Sequence, residues 1–442
     1  MFKRGKGKKL ALIIAAAAAL VVSIGFGVQH QCVAGGGNDY DSIELFTDVL
    51  KIVQKNYVEE VDTKKLVYGA INGMLSSLDP HSSFLPPDMY KEMKIETKGS
   101  FGGLGIEITV KDGYLTVISP IEDTPAFRAG IKAGDQILKI DGHLTKDMSI
   151  VDAVKRMRGQ KGTKVTITII RDGFEKPKDF TLVRDIVQVK SVKSKTIDAG
   201  YGYVRIAQFQ EKTDDDLVKA LEALKKENGG SLKGLILDLR NDPGGLLDQA
   251  VKVADHFVAD GLIVYTEGRD PDSKMRFSAR KGKKELGYPM VVLINGGSAS
   301  ASEIVAGALQ DHNRAVVLGT QSFGKGSVQT IIPLSEDSGL RLTTARYFTP
   351  KGRSIQAKGI TPDIVVENLE ITAREKKDSL NIREKDLENH FETDTGEVRK
   401  EKKEDKPVTI KVDEQTRSDY QIMRALDLLK GWEILKTMRK AG

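Results

Sequence analysis

The sequence is almost without cysteine. Cys32 is the only one in 442 residues, so no intrachain disulfide can form. Proline is scarce too, 13 residues against 43 glycines, in a chain that is 40% hydrophobic and 29% charged. That balance excludes a collagen-like or generally disordered protein and leaves a globular chain long enough for two or three domains. Excess charge is missing from the body of the chain. The formal net charge is +6, and Lys3, Arg4, Lys6, Lys8 and Lys9 supply nearly all of it before residue 10. A nucleic-acid binder would keep a basic face on its folded domains, and the overall charge gives no support for one, so no nucleic-acid partner is expected.

What is present begins with a leader. After the basic start, Leu10 to Val28 carries no charge, a run near the roughly 20 residues that cross a bilayer. Residues 1–37 therefore read as an export signal or a retained membrane anchor at 10–28, with the positive end in the cytoplasm. The expected location is the bacterial periplasm or the outer face of the inner membrane.

The rest reads as a multidomain α/β (α+β) chain. Residues 38–98 show helical spacing in Leu45, Val49, Ile52, Val53 and later Leu66, Ala70, Met74 and Leu78. Asp79, His81 and Asp88 in and after the following loop do not match a known metal site, and no metal or cofactor is expected. Residues 99–174 turn to short β-like runs punctuated by Gly130, Gly134 and Gly142, with helical pieces at Pro125 to Ala129 and Ile150 to Met157. Residues 187–368 alternate strands and helices, including the apolar strands Leu235 to Leu239 and Met290 to Ile294 and a helix from Ala301 to Asp311. Such units give an α/β sheet with chemistry at the strand exits. Residues 369–442 form a charged linker and a C-terminal helix, Tyr420 to Leu435, holding the single Trp432.

Ser298, Ser300 and Ser302 stand between the strand Met290 to Ile294 and the helix that follows. A serine there has backbone N–H groups and a helix dipole to hold an oxyanion, which suits a nucleophile. The same residues, Ser300 to Glu303, also spell a capping box, and from this fragment alone the N-cap is the favoured reading of Ser300. A histidine base is poorly placed: His256 lies within a helix, and His312 lies roughly 15 Å from Ser300 along the helix at about 1.5 Å per residue. Lysine is the alternative. Lys325, in Phe323-Gly324-Lys325-Gly326, meets Ser300 if parallel strands put their exits on one edge. To act as a base it must lose about three pH units from about 10.4, a cost of about 4 kcal/mol, and burial against Phe323 is the expected source. Gln329 can orient the amine without adding charge. Gly319 to Lys325 opens like a phosphate-binding loop, but Gly326 replaces the magnesium-binding hydroxyl and a strand follows where a helix is needed. Ser322 to Lys325 matches the S-x-x-K of penicillin-binding enzymes, which also needs a helical turn.

Two stretches, Phe101-Gly102-Gly103-Leu104-Gly105-Ile106 and Ala129-Gly130-Ile131-Lys132-Ala133-Gly134-Asp135, closely resemble a PDZ domain. The resemblance implies a carboxylate-binding loop at Gly103, Leu104 and Gly105, with a peptide groove between Ile106 and Val154. Asp238 to Gly245, Ser298 to Ile304 and Gly319 to Gln329 together resemble the carboxyl-terminal processing proteases, over residues 41–368. That family implies a serine endopeptidase with Ser300 as nucleophile, Lys325 as base, Gln329 in support, and N–H groups near Gly245 and of Ala301 as oxyanion hole. Asp311 matches an acidic position of the family. Expected partners are proteins or peptides with free C-termini, with a homo-oligomer or activating adaptor as further family-level expectations. The alternative is a PDZ-based peptide-binding adaptor with an inactive protease fold.

Overall fold

The computed structural model describes residues 37–369 and 419–441, apart from single positions 112, 147, 172, 283 and 336. The expected export segment and the charged stretch 370–418 lie outside the described residues. Among the described residues no helix is long and apolar enough to cross a membrane. The chain divides after Phe84 into two compact units.

In the first unit, helices α1 (Gly37–Asn56) and α2 (Thr63–Ser76) follow the apolar spacing of the sequence. Asp62 caps α2 by accepting the Lys64 N–H at 2.8 Å. In the next loop the Asp79 carboxylate accepts the N–H groups of His81 and Ser82 and the Ser82 hydroxyl, at 2.7, 2.9 and 2.7 Å. This is an Asx-type turn, and it occupies the aspartate that a metal site would need.

The second unit opens with α3 (Pro87–Lys98), which ends at Gly99 in the left-handed conformation, φ 66°. The PDZ-like module comprises β1 (Ser100–Gly103), β2 (Ile106–Lys111), β3 (Tyr114–Pro120), α4 (Pro125–Arg128), β4 (Gln136–Ile140), α5 (Ile150–Met157), β5 (Lys164–Ile170), β6 (Lys178–Val183) and β7 (Asp185–Gln188). The antiparallel path is β2-β3-β4-β5-β6, while β1 pairs with β7. Val165, Ile167 and Ile169 alternate inward against Ala153 and Met157 of α5. The module continues past 174, where its end was expected. Strand β6 is polar, with only Phe180 and Leu182 turned to the core, so its hydrophobic signal is weak.

The rest of the second unit holds β8 (Val192–Asp198), β9 (Tyr201–Ile206), α6 (Thr213–Glu227), β10 (Gly234–Asp238), α7 (Leu247–Phe257), β11 (Leu262–Gly268), β12 (Met275–Ser278), β13 (Met290–Ile294), α8 (Ala301–Asp311), β14 (Val316–Gly319), β15 (Ser327–Pro333), β16 (Gly339–Phe348), β17 (Ile364–Val365) and α9 (Tyr420–Ala441). One sheet runs β8-β9-β10-β13-β14-β17, antiparallel at its first pair and parallel thereafter. Leu293 lies opposite both Asp238 and Leu318, so β10, β13 and β14 leave the sheet at the same edge. A second, antiparallel sheet contains β15, β16, β11 and β12.

The unbroken apolar runs of β10 and β13 have a direct cause: the sheet is covered on both faces. Leu235, Leu237, Val292 and Ile294 pack with α6, α7 and α8. Ile236, Val291, Leu293 and Leu318 pack with Ile422, Ala425, Leu426 and Leu429 of α9. Helix α9 was expected as part of a charged tail outside the core. It instead closes the second face of the sheet, through apolar residues at helical spacing that each contribute about 1.5–3 kcal/mol where large.

Candidate active site

Strand β13 leaves the sheet through Asn295-Gly296-Gly297 into the three serines. Two of them are structural. Ser298 donates to the Leu239 carbonyl at 2.8 Å and accepts the Asn295 N–H at 3.0 Å. Ser302 donates to the Asp242 carbonyl at 2.9 Å. Both are fully buried, and both tie the head of α8 to the loop after β10. Ser300 differs: its φ of 59° is left-handed, a conformation a residue with a Cβ adopts only when its surroundings impose it. Its N–H donates to Glu303 Oε2 at 2.8 Å.

Glu303 is fully buried and gathers four donors. Oε1 accepts the Ser322 hydroxyl at 2.6 Å and the Gly324 N–H at 2.7 Å. Oε2 accepts the N–H groups of Ser300 at 2.8 Å and Lys325 at 2.9 Å. Two N–H groups on one oxygen hold the Ser300 and Lys325 nitrogens within about 6 Å of each other. The capping box of the sequence is thus real, yet its glutamate does more than cap. It joins the loop after β13 to the loop after β14.

Lys325 is half-buried. Phe323, expected to bury it, is 62% exposed and cannot. Tyr347 on β16 reaches this segment instead, its hydroxyl donating to the Lys325 carbonyl. Burial pushes the Tyr347 hydroxyl far above its ordinary pKa, so it stays protonated. Gln329 lies beside a bulge in the β15–β16 ladder, a device that re-aims side chains. Its amide nitrogen donates to Ser327 at 2.9 Å and Thr343 at 3.3 Å, which makes its carbonyl oxygen the atom able to meet an amine.

The loop after β10 approaches from the other side. At Gly245 (φ 143°) a Cβ would stand 2.1 Å from the Phe209 oxygen, and at Gly244 (φ 99°) it would stand 2.7 Å from Ser300 Cβ and 2.9 Å from the Ala301 nitrogen. Only glycine fits at either position. Ala301 is the first residue of α8, where N–H groups have no intrahelical acceptor and the dipole is positive. Gly245, Ser300, Ala301, Lys325, Gln329 and Tyr347 line one cavity of about 610 Å³, with Leu247, Phe277, Ile304 and Val328 as apolar wall.

Other candidates are engaged elsewhere. His256 pairs with Asp214 at 2.6 Å and His312 with the Leu262 carbonyl at 2.7 Å. Asp311, at the far end of α8, pairs with Arg353 and accepts the Lys351 N–H at 2.9 Å. Ser322 is spent on Glu303 and accepts the Ile360 N–H at 2.6 Å, and Lys325 is followed by strand β15, which removes the S-x-x-K and phosphate-loop readings.

In the PDZ-like module, β2 is the edge strand of its sheet, the arrangement needed to add a peptide strand. Ile106 starts β2, and Val154 stands half-buried on α5, which packs on β2. Gly105 is left-handed (φ 76°), and a Cβ there would meet Thr124 at 2.3 Å. Leu104, by contrast, is turned into the core of the module, so only its backbone is available to a ligand.

Residues 200–366 match the model of peptidase family S41, 102–196 a PDZ domain, and 28–88 the N-terminal domain of the activating protease CtpB. The chain is 49% identical over 395 residues to the carboxy-terminal-processing protease of Bartonella bacilliformis, covering 89% of each. The chain belongs to the carboxy-terminal processing protease family. It is 38% identical over 324 residues to the carboxyl-terminal-processing protease of Synechocystis, covering 72% of this chain and 75% of that one. Among solved structures, the photosystem II D1 C-terminal processing protease aligns with 32% identity and a TM-score of 0.43, over 73% of this chain and 92% of that chain. This protease is a serine-type peptidase with a PDZ domain suited to peptide or protein substrates.

Tyr347 and the four-donor role of Glu303 are what sequence reasoning missed. Glu303 had a signal, its place in the capping box. Tyr347 had none, because it reaches the site from a strand more than twenty residues after Lys325.

Proposed function

We propose that this protease cuts proteins bound by their C-terminal tails, using Ser300 as nucleophile and Lys325 as general base. The tail adds as a strand beside β2, with its carboxylate at the Gly103–Gly105 backbone and its last side chain between Ile106 and Val154. Neutral Lys325 Nζ takes the proton from Ser300 Oγ, which bonds to the scissile carbonyl carbon. The N–H groups of Gly245 and Ala301 receive the oxyanion. The C–N bond then breaks and the leaving amine takes the proton from Lys325, leaving an ester on Ser300. Lys325 next deprotonates a water that attacks the ester, releasing a carboxylate and restoring Ser300. Gln329 orients the amine through its carbonyl oxygen.

The single observation that carries this reading is the Glu303 carboxylate, which binds the Ser300 and Lys325 segments through one oxygen. The test is cleavage of a protein ending in an apolar tail by the full chain, by Ser300→Ala and by Lys325→Ala. Both variants should lose cleavage and keep tail binding. Cleavage that persists in either removes that residue from its role, and wild-type protein that binds tails without cutting them would be an adaptor.

The leader motivates a second part of the proposal: an exported enzyme working in the periplasm or at the outer face of the inner membrane. Cell fractionation with an antibody to the core tests it, and a cytoplasmic pool alone would refute it.

A further inference from the structure

The catalytic loop after β10 starts at Arg240, and Arg240 is gripped from two sides. Its Nε and Nη2 bind Asp238 at 2.9 and 2.7 Å. Its Nη1 and Nη2 bind Asp419 at 3.1 and 2.8 Å, and Nη1 also binds Gln421 at 2.8 Å. Asp419 and Gln421 stand at the head of helix α9, some 180 residues further along the chain. The guanidinium is buried, and so is Asp238, which also accepts the Tyr203 hydroxyl at 2.7 Å. Arg205 lies 3.8 Å from Asp238, so two cations face two carboxylates. Removing one carboxylate leaves a buried guanidinium with unmet donors, the costly way to break such a pair.

What Arg240 leads into is a turn at positive φ: Asn241 has φ 56°, and Gly244 and Gly245 follow at 99° and 143°. Such a turn keeps one shape only where its surroundings fix it. On the side of Ser300 it is held by a reciprocal amide pair, Asn241 N–H to Asn295 Oδ1 and Asn295 Nδ2 to Asn241 Oδ1, both 2.9 Å, together with Ser298 and Ser302. The Phe209 N–H holds the Gly244 carbonyl at 2.9 Å. At the start of the turn, where it leaves β10, the hold is Arg240.

We propose that Asp419 and Gln421 are positioning residues for catalysis: they complete the grip on Arg240 that fixes the start of the Asn241–Gly245 turn, so the chemistry depends on α9 being docked. This rests on the reading of that turn as the oxyanion-binding backbone beside Ser300. Because the PDZ module makes none of these contacts, tail recognition does not depend on them.

The experiment uses the full chain and a protein substrate with an apolar tail, with kcat, KM and melting temperature measured for Asp419→Ala, Asp419→Asn and Leu429→Ala beside Ser300→Ala. Leu429 packs α9 on the sheet but does not touch Arg240, so it reports on packing alone. Well below the melting temperatures, Asp419→Ala should lose at least about tenfold in kcat with KM within about twofold. Leu429→Ala should melt earlier and keep its kcat. A wild-type kcat in folded Asp419→Ala overturns the proposal, as does a loss of kcat that simply follows melting temperature across the two. If Asp419→Ala does not fold, Asp419→Asn, which keeps one acceptor oxygen, carries the test on the same criterion. Cleavage by Ser300→Ala would instead sink the reading of the site itself, whatever Asp419 does.

Discussion

Stability should depend on pH through Asp242. Its side chain is fully buried; Oδ1 accepts the Gly244 N–H at 2.8 Å, and Oδ2 has no partner. Burial outweighs that amide, Ser302 and Arg205, and pushes the carboxyl from 3.8 up to about 7. An unfolded chain releases the proton near 3.8 and the folded chain only near 7. Between those values the folded state holds more protons, so it loses stability as pH rises, and above about 7 the loss is complete. At about 1.4 kcal/mol per pH unit the full loss is about 4 kcal/mol. Asp242→Asn keeps an oxygen for the Gly244 N–H and cannot ionise, so it mimics the neutral acid. The variant should match the wild type near pH 4 and exceed it by up to about 4 kcal/mol at pH 8, a gap of roughly 8 °C at about 2 °C per kcal/mol. Calorimetric melting from pH 4 to 9 reads the difference. Curves that stay parallel, or an asparagine variant less stable at pH 8, would show an ionised and compensated Asp242 and refute the reasoning.

Glu303→Gln puts an amide NH₂ where donors already converge; each lost charged hydrogen bond costs about 1.5–3 kcal/mol, so both melting temperature and kcat should fall, kcat by about a hundredfold or more, and wild-type turnover would remove Glu303 from the assembly of the site. Ser302→Ala loses one hydrogen bond and Ser298→Ala two, at about 1 kcal/mol each, and both should keep more than a tenth of the activity that Ser300→Ala should abolish; a dead Ser302→Ala with native melting would reopen the choice of nucleophile. Gly105→Ala forces a Cβ against Thr124 at a left-handed position. Calorimetric titration with a tail peptide should show binding weakened at least tenfold while hydrolysis of a short unstructured peptide continues, and unchanged binding would place the carboxylate elsewhere.

Much of this architecture was legible because its signals are local. The strand Met290–Ile294 and the helices Ile150–Met157 and Ala301–Asp311 follow from apolar runs, spacing and a capping box within a dozen residues. What stayed hidden depends on contacts far apart in sequence. The polar strand Lys178–Val183 earns its place only by pairing with β5. Helix α9 reads as part of a charged tail until the second face of the sheet is seen to need a cover. Phe323 beside Lys325 suggested burial by proximity, but a strand-exit loop can point a neighbouring side chain to solvent while a distant tyrosine binds the loop's backbone.

The cap and the nucleophile were posed as rival readings of Ser300, and the capping box that the structure contains does not exclude the proposed nucleophile. A capping box needs a carboxylate at the third helical position, returning to the residue before the helix. Strand β14 lies next to β13 and leaves the sheet at the same edge, so the loop carrying Lys325 must pass over that carboxylate. A carboxylate has about four acceptor positions, and a buried one is costly unless they are filled. The cheapest source of donors is the backbone of that passing loop, and Gly324 and Lys325 supply it. Burying the cap's glutamate therefore draws the lysine segment to the serine segment. The φ of 59° at Ser300 is held in part through its N–H by the same carboxylate that draws the Lys325 segment near.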